Sequence, residues 1–473
     1  MQPKSWCSHK RDCDIRLAMS RFRLFLTAIL SAALFSAAVS PAQNLAPTPP
    51  MGWNSWDAYG LTITGAQFKA NAKVLASVRQ YGWQYAVIDE GWYMADPAGK
   101  TMPEKKYLWN KYGLLIPVSD RFPSAANGAG FKPLADWVHA QGLKFGIHIV
   151  RGIPRQVVAA NLPIEGTNFH AADAADKTSP CPWDQGNWGV KDNAAGQAYY
   201  DSMFKLYASW GVDFVKVDCI SDHPYRPTEI RQIAEAIRKT GRPIVLSLSP
   251  GPTALEHAAE VAKYAQMWRI TNDHWDVWAP QHKPGQGEFP FGLKGEFDRI
   301  AEWAPYAGPG HWPDPDMLPW GWLGPHPGLG KPRQSRETHD EQRTEFTLWS
   351  MSRSPLILGA NLTRLDPFTR SLITNREVLG INQKSTASGP AQIPAGVPWR
   401  AWWARTAGPK PATYLAVFNL RDQAAAWNVP WTDFHLSGAK HAVYDVWNRK
   451  NVPPAAALHV NLPAHGCALF RVE

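Results

Sequence analysis

The sequence predicts an α/β protein, a (β/α)8 TIM barrel followed by a small C-terminal antiparallel β-sandwich domain. Three observations carry this. Strand-like runs alternate eight times with segments of helical periodicity before about residue 385, the pattern of a parallel sheet wrapped in helices. Charged residues recur where those strand-like runs end. Beyond them the texture changes to short alternating apolar runs set between turn residues, which reads as antiparallel sheet.

The strand-like runs are 52–56 (GWNSW), 84–91 (QYAVIDEG), 144–151 (KFGIHIVR), 213–221 (DFVKVDCIS), 243–249 (PIVLSLS), 266–272 (QMWRITN), 311–317 (HWPDPDM) and 355–361 (PLILGAN). Between them, "GAQFKANAKVLASVRQYG", "AYYDSMFKLYASWG" and "PTEIRQIAEAIRKTG" have helical periodicity and stop at glycine, as helix C-termini often do. The seventh run is the weakest, because Pro313 and Pro315 cannot donate to a ladder. A doubly wound sheet is the alternative arrangement. "KSTASGPAQIPAGVP" reads as a Pro/Gly/Ser linker, and "WRAWWART", "TYLAVFNL", "HAVYDVWN", "ALHVNL" and "CALFRV" read as strands. The expected divisions are a leader over 1–42, a barrel over 43–385 and a β domain over 386–473.

The leader is inferred from "LFLTAILSAALFSAA" at 24–38, preceded by Arg16, Arg21 and Arg23 and followed by small residues to Ala42. That is the order of a secretory signal peptide, with Met19 a plausible start, and the apolar run is shorter than the ~20 residues of a membrane span. The expectation is export to the periplasm or the medium, with no membrane association after cleavage. Removing 1–42 takes six Lys/Arg and two Asp/Glu with it and lowers the net charge from +9 to +5. No basic run survives, so nucleic-acid binding has no footprint. Cys181, Cys219 and Cys467 remain, with no Cys-x-x-Cys pair to suggest structural zinc. Oxidation of Cys181 with Cys219 is open to an exported chain, but spacing does not establish it. The 24 tryptophans suit either sugar faces or an ordinary barrel core.

"DFVKVDCISD" at 213–222 raises a question about charge. Lys216 and Asp218 lie two apart and so share a strand face, while Val215 and Val217 take the other. In a barrel, residues at strand C-terminal ends open onto the active site, and other strand ends are charged too. Asp89 and Glu90 end the second, His148 and Arg151 the third, Arg269 and Asp273 the sixth, Asp314 and Asp316 the seventh. Convergence on one rim describes a substrate pocket. No Gly-rich phosphate loop follows the first strand, which argues against a nucleotide. His311, Asp314 and Asp316 are the only metal candidates, and the prolines between them favour a rigid turn. Two carboxylates across a hydroxyl-reading pocket fit glycoside hydrolysis. Asp218 suits the nucleophile, since Lys216 would keep it ionised, and Asp273 the acid/base; strand-end logic alone leaves Asp213 and Asp276 open.

"TPPMGWNSWDAYG", "VIDEGWY", "GLKFGI", "GVDFVKVDC", "WRITND", "AGPGHWPDPDML" and "SPLILGANL" occur in that order. Together they resemble glycoside hydrolase family 27, the melibiase-type α-galactosidases, from about Thr48 into the C-terminal domain. The resemblance implies a retaining double displacement on a small-molecule or oligosaccharide glycoside, with no cofactor and no metal. It makes Asp218 the nucleophile and Asp273 the acid/base. Lys216 and Arg269 would bind ring hydroxyls, Trp56 would pack on the sugar, and Asp89 with Glu90 would face its O4/O6 side. Neither the oligomeric state nor the natural substrate follows from it.

This sequence departs from the family pattern in the sugar pocket. Glu90 stands where the second of two aspartates is usual, His148 where a tyrosine is usual, and Ser249 where a Cys-Glu-Trp segment meets the 2-position. A long segment, Ile153 to Asn193, carries Cys181, Trp183 and Trp188. The expected activity is α-galactosidase, with β-L-arabinopyranosidase the nearest rival because of Glu90. An α-N-acetylgalactosaminidase or a non-catalytic carbohydrate-binding relative stands further off.

Overall fold

The computed structural model describes residues 45–98, 105–283, 287–394, 396–438 and 440–472. The inferred leader lies outside them. Among the described residues no helix is long and apolar enough to cross a membrane. The barrel strands are β1 (Met51–Asn54), β2 (Tyr85–Ile88), β3 (Lys144–Val150), β4 (Phe214–Asp218), β5 (Val245–Leu248), β6 (Met267–Arg269), β7 (Trp312–Asp314) and β8 (Leu356–Leu358). They form one parallel sheet ordered β7-β6-β5-β4-β3-β2-β1-β8. Its ends meet through a parallel bridge between Leu318 and Leu358.

That seam explains how Pro313 is tolerated inside β7. Trp312 N–H donates to Gln266 O and Asp314 O accepts from Ile270 N–H, both at 3.0 Å. Both neighbours of Pro313 therefore bond to β6, and its missing N–H faces the β8 side. There pairing resumes only at Leu318, whose N–H donates to Ile357 O at 2.8 Å. A proline costs least where no ladder bond is owed.

Inside the barrel, strand alternation sorts side chains as the sequence requires. Phe214 packs inward with Tyr85, Val87, Val245, Met267, Met317 and Ile357, whereas Val215 and Val217 join the core under the helices. Above Phe214 on the inward face come Lys216 and Asp218. Gly146 is required beside them, since a Cβ there would stand 2.8 Å from Val87 Cγ2 and 3.1 Å from Phe214 Cβ. The outer layer is α1 (Gly65–Ser77), α2 (Lys132–Ala140), α3 (Ala194–Trp210), α4 (Pro227–Thr240), α5 (Ala258–Tyr264), α6 (Leu293–Trp303), α7 (His339–Ser352), α8 (Pro367–Ile373) and α9 (Arg376–Lys384). Capping boxes at Thr64/Gln67 and Thr338/Glu341 start α1 and α7, and Gly211 and Gly241 end α3 and α4 in the left-handed region.

The long segment after β3 holds a three-stranded sheet (Ile153–Pro154, Ala175–Asp176, Asn187–Val190), and Cys181 and Cys219 are joined by a disulfide. In the C-terminal domain, the Pro/Gly/Ser stretch read as a linker begins with a strand, Ser385–Pro390, paired antiparallel with Trp399–Thr406. It is an edge strand of a six-stranded sheet, where half-exposed polar residues and a terminal proline do no harm. This sheet is covered on both faces. Trp402, Ala404, Ala416 and Phe418 belong to the barrel's own core. Ala401, Leu415 and Val417 pack instead on a separate two-stranded antiparallel sheet, Ala425–Pro430 with Ala457–Leu462. Trp402 is 2 % exposed at the shared core. Replacing it with alanine should cost about 3–5 kcal/mol, read by denaturant unfolding. Both domains should unfold in one transition; a separate early transition of the β domain would show that the cores are independent.

Candidate active site

Apart from Arg151, the strand-end residues singled out in the sequence lie at the C-terminal mouth of the barrel, and register sets their neighbours. β3, β4 and β5 align His148, Lys216 and Ser247 side by side, and β6 and β7 align Arg269 with Asp314. Lys216 Nζ donates to Asp89 Oδ2 at 3.0 Å, where Asn54 Nδ2 also donates at 2.6 Å. Asp89 is 2 % exposed. Burial alone would raise its carboxyl, but Lys216, His148, the Glu90 N–H and Asn54 outweigh it and hold the group down at about 2. Lys216 in turn stays charged despite burial because Asp89, Asp218 and Asp316 surround it.

Asp218 ends β4, and its close partner is not Lys216 but His148, whose Nε2 lies 3.3 Å from Asp218 Oδ2. Burial works against the Asp218 anion; the hydrogen bond and charge of His148, then the charge of Lys216, reverse that and leave the carboxyl below its ordinary range. Lys216 acts on Asp218 from one place further back than the sequence suggested, because Asp89 has claimed its ammonium. The other oxygen, Asp218 Oδ1, has no hydrogen-bond partner among the described residues.

Across the mouth, Arg269 leaves β6 with Nη2 2.7 Å from Asp316 Oδ2 and Nη1 3.3 Å from Asp273 Oδ1. Asp273 is 40 % exposed at its side chain and thus open to the pocket. Its surroundings raise its carboxyl first through desolvation; Arg269 pulls the other way, and Asp316 and Asp218 add to the rise. The environments of Asp218 and Asp273 therefore push apart, one toward the anion and the other toward the acid. Ser249 is buried at the end of β5 and Trp56 half-buried after β1. Gly328 lies so near the Trp56 ring that a Cβ would come within 2.3 Å of its Nε1.

Glu90 is held in a different state from Asp89. Burial first, then the charges of Asp184, Asp218 and Asp89, lift it well above the usual carboxylate range. Its Oε1 is buried without a hydrogen-bond partner among the described residues. Asp184 is raised in turn, by burial first. Asp184 is the residue that sequence reasoning missed. It comes from the long segment after β3, three positions past Cys181, and the disulfide to Cys219 ties that segment to the residue after Asp218. The only sequence signal was an acid beside a cysteine and a tryptophan in "CPWD".

Three other charged residues named at the outset have structural employment. Arg151 does not face the pocket: it pairs with Glu229 at 2.7 Å and donates to the carbonyls of Cys219 and Ser179. Asp213 is held by His139 and Arg242 at the opposite end of β4. Asp276 is covered by Arg333 and Arg336, so neither aspartate is a free catalytic group. His311, Asp314 and Asp316 do not converge as metal ligands; among the described residues the trio that does is His274, Glu337 and Glu345.

Comparison with known proteins decides the family. Residues 183–384 match the family model described as alpha galactosidase A, and 397–472 match the alpha galactosidase C-terminal beta sandwich domain. The chain belongs to glycoside hydrolase family 27. It is therefore a glycoside hydrolase. The crystal structure of a family 27 β-L-arabinopyranosidase from Geobacillus stearothermophilus is 41 % identical, with a TM-score of 0.85, covering 92 % of this chain and 98 % of that one. A variant of that enzyme in complex with arabinose is 40 % identical over 92 % and 99 %. Alpha-galactosidase A of Cellvibrio japonicus is 28 % identical over 94 % of this chain and 97 % of its own length.

His148 gives the site a pH signature. Because it holds Asp218 below the ordinary range, activity should persist as pH falls past the usual carboxylate pKa. In His148→Asn that support is lost, so the acidic limb of kcat/KM should move to higher pH. An unmoved limb would show that Asp218 is not the group read on that side of the profile.

Proposed function

We propose that this protein is an exported, retaining exo-glycosidase that takes terminal β-L-arabinopyranosyl residues in preference to the equally configured α-D-galactosyl residues. One observation carries the preference. Glu90 reaches into the mouth one methylene further than an aspartate would, about 1.5 Å, and Asp184 stands against it from the disulfide-tied segment. By the family resemblance, that depth faces the hydroxymethyl group on C5 of galactose. L-arabinopyranose has the same ring configuration and no such group. The 41 % identity to a β-L-arabinopyranosidase, against 28 % to a curated α-galactosidase, supports the same order. α-D-Galactoside hydrolysis, which the sequence placed first, is retained as the slower activity. The disulfide suits the oxidising compartment that export implies.

The chemistry follows from the charges. Asp218, anionic beside His148, attacks the anomeric carbon as the leaving oxygen takes the Asp273 proton. Asp273 then removes a proton from water, whose oxygen displaces Asp218 with net retention. Lys216 and Arg269 offer N–H donors to ring hydroxyls. Glu90, held as the acid, donates rather than accepts toward the sugar.

Two measurements test this reading. Proton NMR of an aryl glycoside digest should show the first-formed sugar with retained anomeric configuration, and Asp273→Ala should slow poor leaving groups far more than activated aryl groups. Inversion, or equal losses on both substrates, would remove Asp218 and Asp273 from their roles.

The specificity claim is tested separately with Glu90→Asp. A one-methylene change is worth about 1–3 kcal/mol, or roughly 10–200-fold. The substitution should raise the ratio of kcat/KM for aryl α-D-galactoside over aryl β-L-arabinopyranoside within that range. A ratio that stays or falls would mean Glu90 does not set the depth of the pocket.

A further inference from the structure

Directly behind Asp273 lies a closed chamber that the glycosidase chemistry does not use. His274 projects into it from the segment after β6, Glu296 from α6, Glu337 from the segment before α7 and Glu345 from α7 itself. Their side chains are 0 %, 0 %, 1 % and 0 % exposed. Three carboxylates and one imidazole are thus shut away from water. Among the described residues no lysine or arginine stands within ion-pair distance of any of the three. Buried carboxylates with only an imidazole beside them are costly, so protons on these groups or an added cation must offset their charge.

Geometry bears on the choice. His274 Nε2 lies 3.1 Å from Glu345 Oε1 and 3.8 Å from Glu337 Oε1, and Nδ1 lies 3.3 Å from Glu296 Oε1. Yet both ring nitrogens, Glu345 Oε1 and both oxygens of Glu337 and of Glu296 lack an aligned hydrogen bond. Atoms at these separations that do not point at one another are what a shared third centre produces. Two donors bound at about 2.0–2.2 Å to one ion, with bond angles of about 90–110°, stand roughly 3–3.5 Å apart, each aimed at the ion. Glu345 Oε2 is already fixed by Trp320 Nε1 at 2.5 Å, which leaves Oε1 to face the chamber.

We propose that His274 Nε2, Glu337 and Glu345 bind one divalent first-row transition-metal ion. Two carboxylates neutralise its charge, and a mixed imidazole–carboxylate set suits ions such as Mn²⁺ or Zn²⁺. Glu296 stands behind the set on the Nδ1 side, 3.3 Å away, where outer carboxylates stand for metal-bound histidines. The ion is a tie and takes no part in the displacement. It joins α7 to the His274 backbone, whose N–H donates to Asp316 Oδ2 at 2.9 Å, the same carboxylate that steadies Arg269. Without an ion, protons on these groups would have to offset the buried charge.

The ligand side chains are buried, so the ion is offered while the chain folds. The full-length protein is therefore produced in media supplemented separately with Mn²⁺, Co²⁺ and Zn²⁺, dialysed against chelator and assayed by mass spectrometry of the metals. About one ion per chain is expected in at least one preparation, released when guanidinium unfolds it. Glu337→Gln and Glu345→Gln should each hold under about a tenth of that. X-ray absorption on the loaded wild type should show a single imidazole in the coordination shell, a readout that survives even if a variant fails to fold. Folded, active wild type with under about a tenth of an ion from every medium overturns the proposal in favour of a proton-filled chamber. So does a metal content unchanged in the variants, or a shell without imidazole.

Discussion

The Lys216–Asp89 ion pair is the interaction on which the site depends. A barrel mouth that carries Asp89, Glu90, Asp218, Asp273, Asp314 and Asp316 within low-dielectric walls cannot keep them all ionised. Lys216 and Arg269, with His148, decide which carboxylates stay charged. Lys216 satisfies Asp89, Arg269 satisfies Asp316, and His148 is thereby left to Asp218. The carboxylates without a close cation rise instead. Asp314 is pushed up to about 7, chiefly by burial, and Asp57, buried without a hydrogen bond at either oxygen, rises by the same cause. Reactivity here is allotted by competition for few cations, so a substitution at one carboxylate is felt at the others.

Much of this was legible in the sequence because barrel geometry turns strand position into location. Lys216 and Asp218 share an inward face through the two-residue repeat alone, and eight alternations of strand and helix needed no tertiary information. Strand β7 was readable in spite of its prolines, but the reason Pro313 is tolerated was not, since it depends on which neighbour lacks a ladder.

What escaped reading has a common cause: contacts made by chain far away in sequence. Arg151 ends a barrel strand as His148 does, yet its guanidinium turns to Glu229 and to backbone carbonyls, a choice made by α4. Asp184 reaches the mouth on a segment held by a disulfide, a small sheet and Arg151. The Ser-Thr-Ala-Ser-Gly-Pro run looked like a linker because an edge strand needs neither alternation nor bulk. His274 gave no sign, its companions being spread over α6, α7 and the segment between them.

Arg151 and the disulfide together bear on how the long segment is held. The guanidinium donates to the carbonyls of Ser179, Pro180 and Cys219, gripping the backbone immediately before one cysteine and at the other. The Cα atoms of Cys181 and Cys219 come to 6.0 Å, within the span a disulfide needs. The same two backbones are thus joined twice, once by sulfur and once by a guanidinium. Reduction would open the covalent tie and leave the hydrogen-bonded one spanning the same gap.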